Sequence, residues 1–148
     1  MAHYQCPFIN KKDRCVYFKV GQAQLCVLVL NSFLGRFLGA QRFLTGHQAC
    51  CEVYQAPMPI LFFPRTRIVH QFFSSQELYV VFIDHKGRVL HQGWLQPRRF
   101  MGVWAAYGVL ECHPQQQSVL EQLIVAPDGL RRLFRKEEGG AGVHKSSR

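Results

Sequence analysis

The chain has 148 residues, of which 48% are hydrophobic and 13% aromatic, and it carries a formal net charge of +9. These values exclude a wholly disordered or collagen-like chain and predict one domain that can build a hydrophobic core. The positive charge would attract an anionic ligand, nucleic acid or an acidic membrane surface, without singling out any of them.

The N-terminal part of the chain predicts two strands followed by a short helix. Residues 15–21, CVYFKVG, and residues 24–31, QLCVLVLN, are apolar runs that could pair through a turn near Gly21. Residues 32–44 place apolar side chains at helical spacing, and Ser32 suits the N-cap, although two glycines weaken the helix.

The rest of the chain predicts several short strands and little helix. The strongest pattern is ELYVVFID, residues 77–84, which returns after a turn as RVLHQGWLQ, residues 88–96. Further strand candidates are ILFFP at 60–64, RTRIVHQFF at 65–73, YGVLEC at 107–112 and LRRLF at 130–134, and SVLEQLI at 118–124 predicts a short helical turn. Short strands separated by turn signals indicate a mainly β fold, a small β-sandwich or barrel with one or two short helices.

We expect a single β-rich domain over residues 15–134. Residues 1–14 are mixed and polar, which predicts a loosely ordered segment, and residues 135–148 predict a disordered basic tail. No stretch is apolar enough for a transmembrane segment, and the six cysteines include no C-x-x-C pair and no spacing typical of a disulfide framework. The sequence therefore predicts a cytoplasmic protein with free thiols.

The stretch DHKG, residues 84–87, holds an acid, a histidine and a lysine and is either a catalytic cluster or a hairpin turn. Asp84 suits the first turn position, where its carboxylate accepts from a backbone N–H two residues on. Gly87 suits a left-handed closing position, which leaves His85 and Lys86 at the tip in solvent. The turn explains all four residues without any chemistry.

Around this hairpin, the segment HQFFSSQELYVVFIDHKGRVLHQGWLQPRRF resembles the central motif of the family catalogued as domain of unknown function 192. The positions that carry the resemblance are His70, Phe72, Val81, Phe82, Asp84, Gly87, Val89, Pro97 and Arg98. The resemblance extends upstream to GRFLGAQR and PILFF and downstream to YGVLEC, with Glu111 as the glutamate. These segments occur in the family's order, so the resemblance covers roughly residues 18–115.

The resemblance implies a small all-β sandwich or barrel with one or two short helices, and no established activity. Many members of the family carry Met, Pro and Asp at the positions of Ser74, Glu77 and Tyr79. The resemblance therefore also implies that any site built on that trio would be lost or altered in this chain.

Patterns for catalysis and metal binding are mostly missing from the sequence. There is no G-x-S-x-G elbow, and Ser74 near His70 does not define a triad, since a triad is an arrangement in space. A small hydrolase or sugar-modifying enzyme is the last of our alternatives. His47, Cys50 and Cys51 lie close together, but adjacent cysteines cannot easily reach one ion, so we expect free thiols, no metal and no cofactor.

Our first functional hypothesis is a non-enzymatic accessory or binding module with a site near His70, Glu77, Arg98 and Trp104, although a histidine entering a strand is more often structural. The alternative is a single-stranded nucleic-acid-binding domain that uses Arg65, Arg67 and Arg99 beside aromatic residues, with the first two on one strand face. The simpler interpretation of the same segments is a solvated positive rim whose Phe and Trp side chains lie in the core.

Overall fold

The computed structural model describes residues 14–21, 23–31, 60–71, 77–126 and 129–134, and it confirms the mainly β class. Eight strands form two sheets, and the strands of the described ranges do not close into a barrel. The strands are β1 (Arg14–Val20), β2 (Ala23–Val29), β3 (Ile60–Pro64), β4 (Ile68–His70), β5 (Leu78–Ile83), β6 (Val89–Leu95), β7 (Phe100–Gly102) and β8 (Gly108–Cys112). After β8 come a 3-10 helix (Pro114–Gln116), α1 (Gln117–Val125) and a second 3-10 helix (Leu130–Leu133).

Six strands form the main sheet in the order β1-β2-β3-β8-β5-β6. All neighbouring strands are antiparallel except β2 and β3, which run parallel. β1 and β2 pair around Gly21, whose φ is +61°, and this confirms the first predicted hairpin. β8 lies between β3 and β5, so a strand from late in the sequence joins the two halves of the sheet.

Both faces of the main sheet are apolar, because side chains of a strand alternate between the two faces and the central strands are buried throughout. One face packs against α1 and the second 3-10 helix, which contribute Leu120, Leu123, Leu130 and Leu133. On the opposite face, Val80, Phe82 and Val109 pack with side chains of β4 and the chain around β7.

β4 and β7 form the second sheet, a two-stranded antiparallel element that we call the ribbon. Its pairs are Ile68 with Gly102, Val69 with Met101, and His70 with Phe100. Val69 and Met101 pack on the core of the main sheet, so the other residues of the ribbon face away from it. β7 has three residues and was not predicted from the sequence.

One predicted strand is wrong. LRRLF forms the second 3-10 helix, in which Leu130 and Leu133 are buried while Arg131 and Arg132 are exposed. A spacing of three residues puts both leucines on one side of such a helix, whereas an alternating strand would separate them. The predicted helical turn at 118–124 is confirmed as part of α1.

Several expectations fall outside the described residues. They are the loosely ordered N-terminal segment up to residue 13, the helix over 32–44, the thiols of Cys50 and Cys51 beside His47, the positions Phe72 and Ser74 of the family resemblance, and the tail 135–148. In the described ranges, Cys26 and Cys112 are buried and are not part of a disulfide. No helix in the part of the chain that the structure describes is long and apolar enough to cross a membrane.

The DHKG stretch is a hairpin turn, as predicted. The carboxylate of Asp84 accepts from the backbone N–H groups of Lys86 and Arg88, each at 2.9 Å, and from Nε of Arg88 at 2.8 Å. Gly87 has a φ of +80°, and His85 and Lys86 are exposed. Burial alone would raise the pKa of Asp84, but the hydrogen bonds from Arg88 and Lys86 outweigh it and lower that pKa to about 2.

We expect Asp84→Ala to destabilise the domain by about 1–2 kcal/mol at neutral pH, because it removes the acceptor that closes the turn. Since the folded pKa lies below the ordinary value of 3.8, this stabilisation is present above about pH 4 and fades as the pH falls toward 2. Urea unfolding of both proteins at neutral pH and below pH 3 measures the difference. His85→Ala, at the exposed tip, is the control and should change the free energy of unfolding by less than about 0.5 kcal/mol.

Candidate functional site

The outer face of the ribbon exposes large apolar side chains. Phe100 is 72% exposed and Ile68 is 63% exposed, although both belong to strands. Ile68 leans over Gly102, where an added Cβ would lie 3.1 Å from its Cγ1 atom. His70 is exposed directly across from Phe100. Because the inner residues of the ribbon already pack on the core, the apolar side chains of the outer face do not contribute to the core and form an exposed apolar surface.

Trp104 follows β7 and is the most exposed large hydrophobic residue of the described chain, at 84%. Cζ of Arg67 lies 5.1 Å from the centre of the indole ring, in the geometry of a cation–π interaction. The backbone N–H of Val103 donates to the carbonyl of Arg67 at 2.9 Å and fixes the two segments beside each other. The indole is therefore oriented by an arginine while most of its surface stays open to solvent.

Four arginines surround this face, and the two segments that build it, 65–71 and 97–104, contain no Asp or Glu. The four are exposed: Arg65, Arg67, Arg98 and Arg99. Backbone bonds between Gln71 and the arginine pair, Arg98 N–H to Gln71 O at 2.8 Å and Gln71 N–H to Arg99 O at 2.9 Å, close the end of the ribbon opposite Trp104. The ribbon is therefore positive at both ends.

The expectation that Arg65 and Arg67 share one strand face is wrong. The chain turns directly after β3, where Arg65 adopts a left-handed φ of 54°, and β4 begins only at Ile68. The turn is held by Thr66, whose N–H donates to Tyr107 O at 3.1 Å and whose hydroxyl donates to Pro64 O at 3.2 Å. Both arginines precede the ribbon, and only Arg67 reaches the indole of Trp104.

The residues of the first hypothesis divide between the two ends of the ribbon. His70 and Arg98 lie at one end, next to the base of the β5–β6 hairpin, where Glu77 accepts from Nε2 of Gln96 at 2.7 Å. Trp104 lies past the other end of β7. The four side chains border one extended face and do not converge on a single pocket.

The interpretation that places these aromatic residues in the core is wrong for Phe100 and Trp104. Sequence reasoning missed Phe100 and Ile68 as surface residues because each belongs to a strand of only three residues. The alternation of side chains between the two faces of a strand could have identified them. Val69 and Met101 pair as inward residues, so their neighbours on both strands must point outward.

Glu111 is a second unusual residue, in the middle of β8. It is 5% exposed, and its neighbours across the sheet are Leu61 and Val80. Burial raises the pKa of Glu111 to about 8, so the group holds a proton at neutral pH. A neutral carboxyl group beneath an apolar surface is not equipped to act as a general base at that pH.

No group of three or more His, Cys, Asp or Glu side chains within the described ranges is placed to hold a metal ion. No family model, no curated protein and no solved structure matches this chain. The resemblance to the family catalogued as domain of unknown function 192 therefore stays an expectation, and the geometry of the ribbon is the basis for function.

Proposed function

We propose that this domain is a binding module for single-stranded nucleic acid and that the ribbon is its contact surface. One observation carries the proposal: Trp104, 84% exposed, is oriented by the guanidinium of Arg67, and Phe100, 72% exposed, lies on β7, the strand that Trp104 follows. Exposed aromatic faces next to cations are the combination that stacks bases and pairs with phosphates.

The spacing of the two aromatic residues suits separate bases. Phe100 and Trp104 are four residues apart, which corresponds to about 13 Å in an extended chain at about 3.3 Å per residue. The arginine pair Arg98 and Arg99 lies before Phe100, and Arg67 lies beside Trp104. A single strand of nucleic acid that lies along β7 would therefore meet a cation near each stacked base.

The same features favour single strands over a duplex. In a duplex, the two faces of each base are already stacked on neighbouring base pairs, so an exposed indole or phenyl ring finds no free base face. The phosphate contacts of the arginines do not depend on pairing, and they would give only weak binding to a duplex. We therefore expect a preference for unpaired strands that comes from the aromatic side chains.

We expect the protein to bind a labelled single strand of about twelve nucleotides with micromolar affinity at about 50 mM salt, measured by fluorescence anisotropy. Trp104→Ala should weaken binding by about 5- to 150-fold, because base stacking contributes about 1–3 kcal/mol. Arg67→Gln should also reduce the dependence of affinity on salt, since one phosphate contact contributes a slope of about 0.7 for single strands.

Tyr17→Ala is the matched control, because Tyr17 is an exposed aromatic residue on β1, at the far edge of the main sheet. It should leave the affinity unchanged. Absence of binding at micromolar protein would refute the proposal, and so would equal losses for Trp104→Ala and Tyr17→Ala. Equal affinity for a duplex of the same length would refute the stacking mechanism.

A protein partner is the second candidate for the same surface. Ile68 is aliphatic and 63% exposed on the same outer face of the ribbon as Phe100, and the buried centre of a protein interface is rich in apolar and aromatic side chains. The anisotropy experiment separates the two functions, since a protein-binding ribbon would show no oligonucleotide affinity that depends on Trp104. A hydrolase receives no comparable support from any arrangement of the described residues.

A further inference from the structure

We propose a second binding site, separate from the ribbon, for a small phosphate monoester with an apolar body. The site is a cavity of about 500 Å³ between the tip of the β5–β6 hairpin and the end of α1 with the second 3-10 helix. Its lining residues are Lys86, Gly87, Arg88, Val89, Ile124, Ala126, Gly129, Leu130 and Arg131. Leu130 packs on the face of the main sheet that carries α1, whereas the ribbon covers the other face.

The charges around the cavity suit an anion. Three of its described lining residues, Lys86, Arg88 and Arg131, are cationic, and none of the described ones is acidic. The guanidinium of Arg88 donates from Nε to Asp84 at 2.8 Å, which orients it while its four other N–H donors are not used in that bond. The carboxylate of Asp84 neutralises the charge of Arg88, so the net positive charge at the opening comes from Lys86 on the hairpin and Arg131 on the 3-10 helix. Two positive charges match a doubly charged phosphate better than a single carboxylate.

The cavity also has an apolar part. Val89, Ile124 and Leu130 contribute aliphatic surface, and Val89 is 36% exposed. The volume falls within the roughly 300–1,000 Å³ of small-molecule sites, which is more than a phosphate ion needs. The combination of aliphatic walls with cationic side chains at the opening therefore indicates an organic phosphate rather than inorganic phosphate.

The cavity exists because the hairpin tip approaches the 3-10 helix closely. A Cβ at Gly87 would lie 3.3 Å from Cβ of Leu130, so a glycine at this position lets the hairpin tip approach the 3-10 helix. Asp84 holds the hairpin in shape through its three hydrogen bonds to Lys86 and Arg88. The cations on either side of this contact are therefore positioned by packed backbone and not by free loops.

Phenyl phosphate is the probe for this site, and its binding can be followed by two-dimensional NMR of the labelled protein. We expect saturable shifts at the amides of Gly87 and Leu130, and an affinity about fivefold above that of inorganic phosphate, because only the ester fills the apolar part. Lys86→Gln and Arg131→Gln should each weaken binding by about fivefold or more. Ala126→Leu keeps all charges but fills the cavity, and it should weaken the ester more than inorganic phosphate.

Lys19→Gln is the matched control, since it removes one exposed positive charge from β1, at the opposite edge of the sheet from β6. It should leave binding unchanged, as should Trp104→Ala. Shifts that do not saturate would overturn the proposal, and so would an equal loss for Lys19→Gln and Lys86→Gln. Displacement of phenyl phosphate by an oligonucleotide would overturn it as well, because the cavity would then belong to a nucleic-acid path. If the ribbon binds no oligonucleotide, the proposed function fails but the phosphate site does not, because the two sites are separate.

Discussion

We expect Glu111→Gln to make the domain more stable above pH 8 and to flatten its stability between about pH 4.5 and pH 8. The wild-type free energy of unfolding should fall across that interval and become constant above it. At the acidic end, the two proteins should differ little. Urea unfolding at closely spaced pH values measures both curves, and their difference isolates the contribution of Glu111.

The sign follows from the raised pKa of Glu111. In the unfolded chain its carboxyl group ionises near its ordinary value of 4.5, whereas in the folded protein burial holds the proton up to about pH 8. Between these values the folded state binds more protons, so raising the pH favours unfolding. A difference of about 3.5 units at about 1.4 kcal/mol per unit gives an upper value of about 5 kcal/mol. Relaxation of the surroundings would reduce it, and we expect about 2–4 kcal/mol.

Glu121→Gln is the matched control, because Glu121 is exposed on α1 and the substitution also removes one carboxylate. Because Glu111 is intact in this protein, its free energy of unfolding should still fall between about pH 4.5 and pH 8, as in the wild type. If the Glu111→Gln curve also runs parallel to the wild type, the carboxyl group is not held neutral by burial. A Glu111→Gln protein that is less stable at every pH would show that the carboxyl group makes a hydrogen bond that the amide cannot replace.

The burial of Glu111 could not be predicted from the sequence, although the strand that carries it could. YGVLEC is recognisable as a strand from its composition, and the strand is found at Gly108–Cys112. Its position between β3 and β5 depends on pairing over long separations in the chain, which local patterns do not encode. A glutamate in a strand is ordinarily a solvent-facing residue, and only the packing on both faces of a central strand makes this one buried.

The β5–β6 hairpin was predictable for the opposite reason. Its signals are local: a run of β-branched and aromatic residues ends at Asp84, and Gly87 precedes the returning run. The ribbon has no such local signal, because strands of three residues carry too little pattern to be detected. The arginines of the candidate site were therefore identified from the sequence, whereas the exposure of Phe100 and Trp104 required the fold.

We expect Gly87→Val to destabilise the domain by about 2–4 kcal/mol, for two separate reasons. A β-branched residue at a φ of +80° is strained at a cost of about 1–3 kcal/mol. In addition, an added Cβ would lie 3.3 Å from Cβ of Leu130 and 3.6 Å from the backbone nitrogen of Arg131, so the branched side chain would push the hairpin off the 3-10 helix. Chemical denaturation at neutral pH measures the loss.

Gly21→Val separates the two causes. Gly21 also has a positive φ, +61°, but an added Cβ would meet no atom of the described residues within 4 Å, so only the conformational cost of about 1–3 kcal/mol applies. We expect Gly87→Val to cost about 1–2 kcal/mol more than Gly21→Val, and Lys86→Ala, at the exposed tip, to change stability by less than about 0.5 kcal/mol. Equal losses at the two glycines would mean that the hairpin tip does not press on Leu130 in solution, and the cavity between them would lose its wall. A Gly87→Val protein as stable as the wild type would contradict the turn itself, because the register of β5 and β6 depends on the closure of that turn at Gly87.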